Sequence, residues 1–155
     1  MENPVVSAVT HDANTLIIKL FPVPYGAGFL AELFDELAQK GVLVDIITQS
    51  YNEEGQRLAF SIKDSDLYAA EEVVKRLASD VKVTVLKDLA KLSVVGVGMA
   101  NHPGVAARFF KVLSQVDVPI HLVTTSDIKI SAVIDAKNLE GAARAIHTEF
   151  HLDQE

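Results

Sequence analysis

The chain repeats itself, and the repeat restricts the folds open to it. Residues 14–50, NTLIIKLFPVPYGAGFLAELFDELAQKGVLVDIITQS, align without a gap on residues 90–126, AKLSVVGVGMANHPGVAARFFKVLSQVDVPIHLVTTS, at a constant offset of 76. Leu16 meets Leu92, Gly28 meets Gly104, Ala31 meets Ala107, Phe34 meets Phe110, Leu37 meets Leu113 and Ser50 meets Ser126. Past that point the offset becomes 72, pairing Ile62 with Ile134, Leu67 with Leu139 and Ala70 with Ala142. The first copy is therefore four residues longer, at its YNEEGQR turn. Whatever the unit is, its hydrophobic pattern must bury the same face twice.

Each copy has one grammar. Residues 15–21 and 91–97 are β-branched apolar runs of strand length. A glycine-containing turn follows, then a helix whose apolar positions, Phe29, Leu30, Leu33, Phe34 and Leu37 or Val105, Phe109, Val112 and Leu113, recur at i, i+3 and i+4. Gly41 stops the first helix, and Asp117 with Pro119 the second. Two strands come next, 42–50 with 57–63 and 119–125 with 128–134, and then helices over 65–78 and 137–150 with Asp64, Ser65 and Asp135 as candidate N-caps. Copy one ends in a fourth strand, 81–88, which copy two lacks, while the alternating segment 5–12 belongs to nothing near it. The economical solution returns residues 5–10 to complete the second sheet. The expected fold is then α+β: two ferredoxin-like βαββαβ units, one over 13–88 inserted into another made of 5–12 and 89–152.

Such units need a core, and 49% apolar residues at a mean hydropathy of +0.24 supply one, built from Val, Ile, Leu and Ala because only 6% of residues are aromatic. A formal charge of −7 argues against nucleic acid, which demands clustered Lys and Arg. With no cysteine, disulfides, thiolate metal sites and cysteine catalysis are excluded. No apolar run nears the length of about 20 residues that spans a bilayer, and MENPVV shows no secretory pattern, so a cytoplasmic protein is expected.

VGVGMANHPG suggests a phosphate cradle, yet a dinucleotide fingerprint wants glycine where Asn101 stands and an acidic residue ending the next strand. Gly96 and Gly98 read better as close packing beside a neighbouring strand. His147 and His151 lie four apart without a third ligand, so no metal or cofactor is expected. Ser126 with Asp127, and Thr124 with Thr125, have no histidine base in sequence context, while Glu32, Asp35 and Glu36 read as a solvated helix face. No catalytic constellation emerges. What remains is the turn before each first helix, PYGAG (24–28) and NHPG (101–104), where Gly28 and Gly104 let a ligand approach backbone N–H groups. A small amino acid could set its carboxylate there, its ammonium group taken by Asp45 or Gln49 on the next strand; ordinary helix starts would look the same.

LSVVGVGMANHPGVAARFF, then IHLVTTSDIKISAVID, then AARAIHTEFHLD, resembles the second ACT domain of aspartate kinases, and VVSAVTHDANTLIIKL with LVDIITQS resembles the start of the same regulatory region. The resemblance covers nearly the whole chain. It implies tandem ACT domains that bind threonine and/or lysine, restrain a kinase phosphorylating aspartate with ATP, and associate as a homodimer with effectors held at ACT–ACT interfaces. The catalytic domain or subunit would be a separate partner or lie before this chain. Carried over residue by residue, the effector site takes in Tyr25, Gly26, Ala27, Gly28, Leu30, Asp45, Gln49 and Ile120.

The departures fall in that site. The family turn reads D-x-P-G-x-A; here Tyr25 replaces the Asp, Ala27 the Pro and Leu30 the Ala. Leu43 and Pro119 each stand where the family has Asn, although Asp45, Gln49 and Ile120 remain. Two readings follow: an amino-acid sensor of altered or weakened specificity, or a dimerisation module whose effector site has degenerated.

Overall fold

The computed structural model describes residues 5–151. In chain order its elements are β1 (Ala8–Val23), α1 (Ala27–Gln39), β2 (Ile47–Asn52), β3 (Gly55–Lys63), α2 (Leu67–Leu77), β4 (Lys82–Val95), α3 (Gly104–Gln115), β5 (Ile120–Thr125), β6 (Lys129–Asp135) and α4 (Leu139–Glu149). The chain divides into two compact units, one from Asn14 to Lys87 and the other formed by Asp88 onward with the segment up to Ala13.

In the unit 14–87, hydrogen-bonded strands follow the order β2-β3-β1-β4, and β3 pairs antiparallel with both β1 and β2. Leu16, Ile18 and Leu20 stand opposite Ile62, Phe60 and Leu58, so one face of the sheet is aliphatic on adjacent strands. That face meets Leu33 and Leu37 of α1 and Ala70, Val73 and Val74 of α2. Each fully buried leucine here contributes about 1.5–3 kcal/mol. Lys40 to Glu72, at 2.7 Å, and Arg76 to Glu36 tie the two helices across their exposed sides.

In the other unit the order is β5-β6-β4-β1. Leu92 and Val94 stand opposite Ala132 and Ile130, and this face packs on Val105, Phe109, Val112 and Leu113 of α3 and Ala142 and Ile146 of α4. Ser7 N–H donates to the Val95 carbonyl at 2.8 Å, and Asp12 meets Lys91 at 3.5 Å. Both units thus show a βαββαβ-like α+β layout with an antiparallel sheet.

Several expected boundaries are corrected. Segments 5–12 and 15–21 are not separate strands, nor are 81–88 and 91–97; β1 and β4 each run unbroken through a unit boundary. A left-handed residue stands at each crossing, Asn14 at φ 59° and Asp88 at φ 58°. Two short polar residues that tolerate this conformation interrupt the apolar pattern without ending the ladder. The strand expected over 42–50 starts only at Ile47, with Asp45 N–H still bonded to the Ser61 carbonyl at 3.0 Å. Asp64, Ser65 and Asp135 make no capping bonds; single 3₁₀ turns at Asp64–Asp66 and Ala136–Asn138 lead into α2 and α4 instead.

Gly96 is required by contact: a Cβ there would lie 1.7 Å from the Val5 carbonyl oxygen. Gly98 is required by conformation, at φ 83°. Among the described residues, no three His, Asp or Glu side chains converge as a metal site, and no helix is long and apolar enough to cross a membrane.

Candidate functional site

The start of α1 follows from Pro22, Pro24 and Gly26. Pro22 and Pro24 fix their own φ, and Gly26 takes φ 88°, ψ −178°, a region closed to residues with a Cβ. The helix begins one residue later at Ala27. It has neither a side-chain capping bond nor an acidic residue in its first turn. Its leading N–H groups and the positive end of its dipole are therefore uncompensated by the protein. Gly26, Ala27 and Gly28 are exposed, and a Cβ on either glycine would meet nothing within 4 Å. The start of α3 is similar: Pro103 at the cap position, no side-chain cap, and open space over Gly104. An anion the size of a carboxylate can approach either turn.

Tyr25 is 67% exposed and packs on Tyr51, with ring centroids 5.5 Å apart at an interplanar angle of 54°. The Tyr51 hydroxyl beside it, together with desolvation, raises the Tyr25 phenol above its ordinary value. Tyr51 stands opposite Gln56, Gln49 opposite Leu58, and Ile47 opposite Phe60, so Ile47, Gln49 and Tyr51 line one face of β2, the face that leads towards the helices. Ile47 and Gln49 are exposed at this edge strand.

Of the eight residues expected in the site, Tyr25, Gly26, Ala27 and Gly28 share the turn, and Gln49 is joined to it through Tyr51, two residues along the same strand face. Asp45 is exposed on the segment leading into β2. Leu30 turns inward and packs against the core of its unit. Ile120 opens β5 in the other unit, opposite Ile134. Sequence reasoning missed Tyr51 and Ile47. The available signal was the i, i+2 spacing of Ile47, Gln49 and Tyr51, which the misplaced start of β2 obscured.

The family model for an ACT domain matches residues 92–150. The aspartokinase of Helicobacter pylori is 36% identical over 156 residues, covering 99% of this chain and 38% of that protein. The chain thus spans about two fifths of the length of such curated relatives. The ligand-free regulatory subunit of aspartate kinase from Thermus thermophilus superposes with a TM-score of 0.85 at 32% identity, over 94% of this chain and 99% of that one. Aspartate kinase from Synechocystis gives 0.91 at 35% identity, over 100% of this chain and 28% of that one.

Proposed function

The chain belongs to the regulatory region of the aspartate kinase family and carries an ACT domain, and from that premise we propose that it senses a small amino acid, threonine or lysine, and passes the occupancy to an aspartate kinase catalytic domain or subunit. The observation that carries this reading is the match to a regulatory subunit along almost the whole of both chains. In this reading both units are ACT domains, 13–88 inserted into a second one made of 5–12 and 89–152, and the protein works in the cytoplasm.

The turn supplies the chemistry. A carboxylate sits on the uncapped N–H groups of α1 beside Gly26 and Gly28, and Gln49, with Asp45, takes the ammonium group. Tyr25 and Tyr51 bound the side-chain end. The exposed apolar residues of the edge strands, Ile47 and Tyr51 on β2 and Ile120 and Val123 on β5, support pairing with a second copy. A homodimer would bring a partner's strand against the turn, and effector would favour one pairing geometry over another by its differential affinity.

A second reading, a dimerisation module with a degenerate effector site, rests on Tyr25 lying against Tyr51 where the family has an acidic residue. Calorimetric titration with threonine and with lysine separates the two. Saturable heat that disappears in Gln49→Ala supports sensing; a dimer that binds neither amino acid supports the second reading and overturns the first.

A further inference from the structure

Tyr25 and Tyr51 meet on the surface of the unit 14–87, at 67% and 66% exposure, with their ring centroids 5.5 Å apart. The two rings belong to different parts of the unit. Tyr25 immediately precedes Gly26, the residue on which α1 opens, so it adjoins the uncompensated N–H groups of Ala27 and Gly28. Tyr51 lies near the free end of β2, one residue before Asn52 closes the ladder with Gly55. A hydrogen bond between the phenols joins them as well as the ring contact.

The contact belongs to the first copy alone. At the offset of 76, Tyr25 corresponds to Asn101, the last residue of a 3₁₀ turn. Tyr51 opens the YNEEGQR stretch by which the first copy is longer, and the ladder of β5 and β6 ends at Thr125 and Ile130 without a paired residue in its place. Among the described residues, no aromatic pair joins the α3 turn to β5.

The sheet sets what such a contact can do. β2 is an edge strand, hydrogen-bonded to β3 and to no other strand of its unit, so a shift at its end is resisted from one side only. Ile47, Gln49 and Tyr51 share one face of it, and Ile47 is the half-exposed aliphatic residue of that row. Both tyrosine rings are mostly in solvent, so their contact is made and broken without opening a core. We propose that the Tyr25–Tyr51 pair couples the α1 turn to the pairing edge of its unit, so that a change at the turn reaches association through β2 and not through β5. A ligand on the N–H groups of Ala27 and Gly28 lies beside Tyr25 and alters its hold on Tyr51; by reciprocity, pairing at β2 alters the turn. The inference rests on the homodimer proposed above, and not on which amino acid the turn takes or whether it takes one.

The test is a double-mutant cycle on the 155-residue chain, read without ligand as the dimer dissociation constant in sedimentation. Tyr25→Ala, a change outside both edge strands, weakens the dimer by about threefold or more, and adds nothing once Tyr51→Ala is present. Hydrogen exchange in Tyr25→Ala speeds up across Ile47–Asn52 and keeps its native rate across Ile120–Thr125. Circular dichroism stays native, since neither ring is in the core. An unchanged constant in Tyr25→Ala, an equal effect in both backgrounds, equal acceleration in β5, or a native protein that is monomeric at every concentration overturns the proposal. If Tyr25→Ala does not fold, the cycle is run with Tyr25→Phe, and additivity there has the same force. Failure of the sensing reading looks different: a coupled cycle without threonine or lysine heat removes the sensor and keeps the link, while amino-acid binding with an additive cycle does the reverse.

Discussion

Asn14 and Asp88 hold left-handed backbone within strands, where glycine would be free and a β-branched residue strained. Replacing either with Val should cost about 1–2 kcal/mol in urea unfolding, while Gly at the same position stays near neutral. Gly96 is stricter because its neighbour is backbone: the Val5 carbonyl cannot rotate away as a side chain could. Gly96→Ala should destabilise by about 2–3 kcal/mol and raise the hydrogen-exchange rate of the Ser7 amide, whose bond to Val95 depends on that approach. At the candidate site, Tyr25 ionises above 10.0 because Tyr51 hydrogen-bonds to it. Tyr51→Phe should therefore lower the Tyr25 titration towards its ordinary value, followed by tyrosinate absorbance on alkaline titration.

Helices α1 and α3 end in the same way from different residues. Gly41 N–H bonds to the Ala38 carbonyl and Val42 N–H to that of Leu37; Asp117 repeats this with Ser114, and Val118 with Leu113. The turn needs positive φ, 75° at Gly41 and 54° at Asp117. Asp117→Gly should accordingly stabilise the protein by about 0.5 kcal/mol, visible as a higher urea midpoint with an unchanged slope. The bridge from Lys40 to Glu72 links α1 to α2 and lowers the Glu72 carboxyl below its usual 4.5. A depressed carboxylate contributes its stability above the unfolded value, and the contribution is lost as pH falls through the folded one. Any stability gap between the native protein and Lys40→Ala should therefore close below pH 4.5. Both partners are largely exposed, so salt should close it as well.

For the molecule as a whole, the proposed homodimer makes the most direct prediction. β2 and β5 are the edge strands of their units, and each leaves aliphatic side chains uncovered, Ile47 at 52% exposure and Val123 at 42%. Native protein should elute with a dimer's mass in light scattering, and Ile47→Lys or Val123→Lys should reduce it towards a monomer's, since a charge placed in a strand-pairing surface opposes association. Wild-type protein that stays monomeric at high concentration would remove the support for pairing.

The duplication, the strand and helix types and the glycine turns were readable along the chain, because hydrophobic period and turn chemistry are local properties. So was the turn from Tyr25 to Gly28 that opens α1, since a helix start is written in adjacent residues. The unbroken course of β1 and β4 was not, because Asn14 and Asp88 look like loop signals until the neighbouring strand holds them in a ladder. Nor was the Tyr25–Tyr51 contact. It depends on residues more than twenty positions apart, brought together only when strands take up one register and helices close over them. Pattern sets which face each element buries; the packed chain decides which side chains meet across it and where space is left.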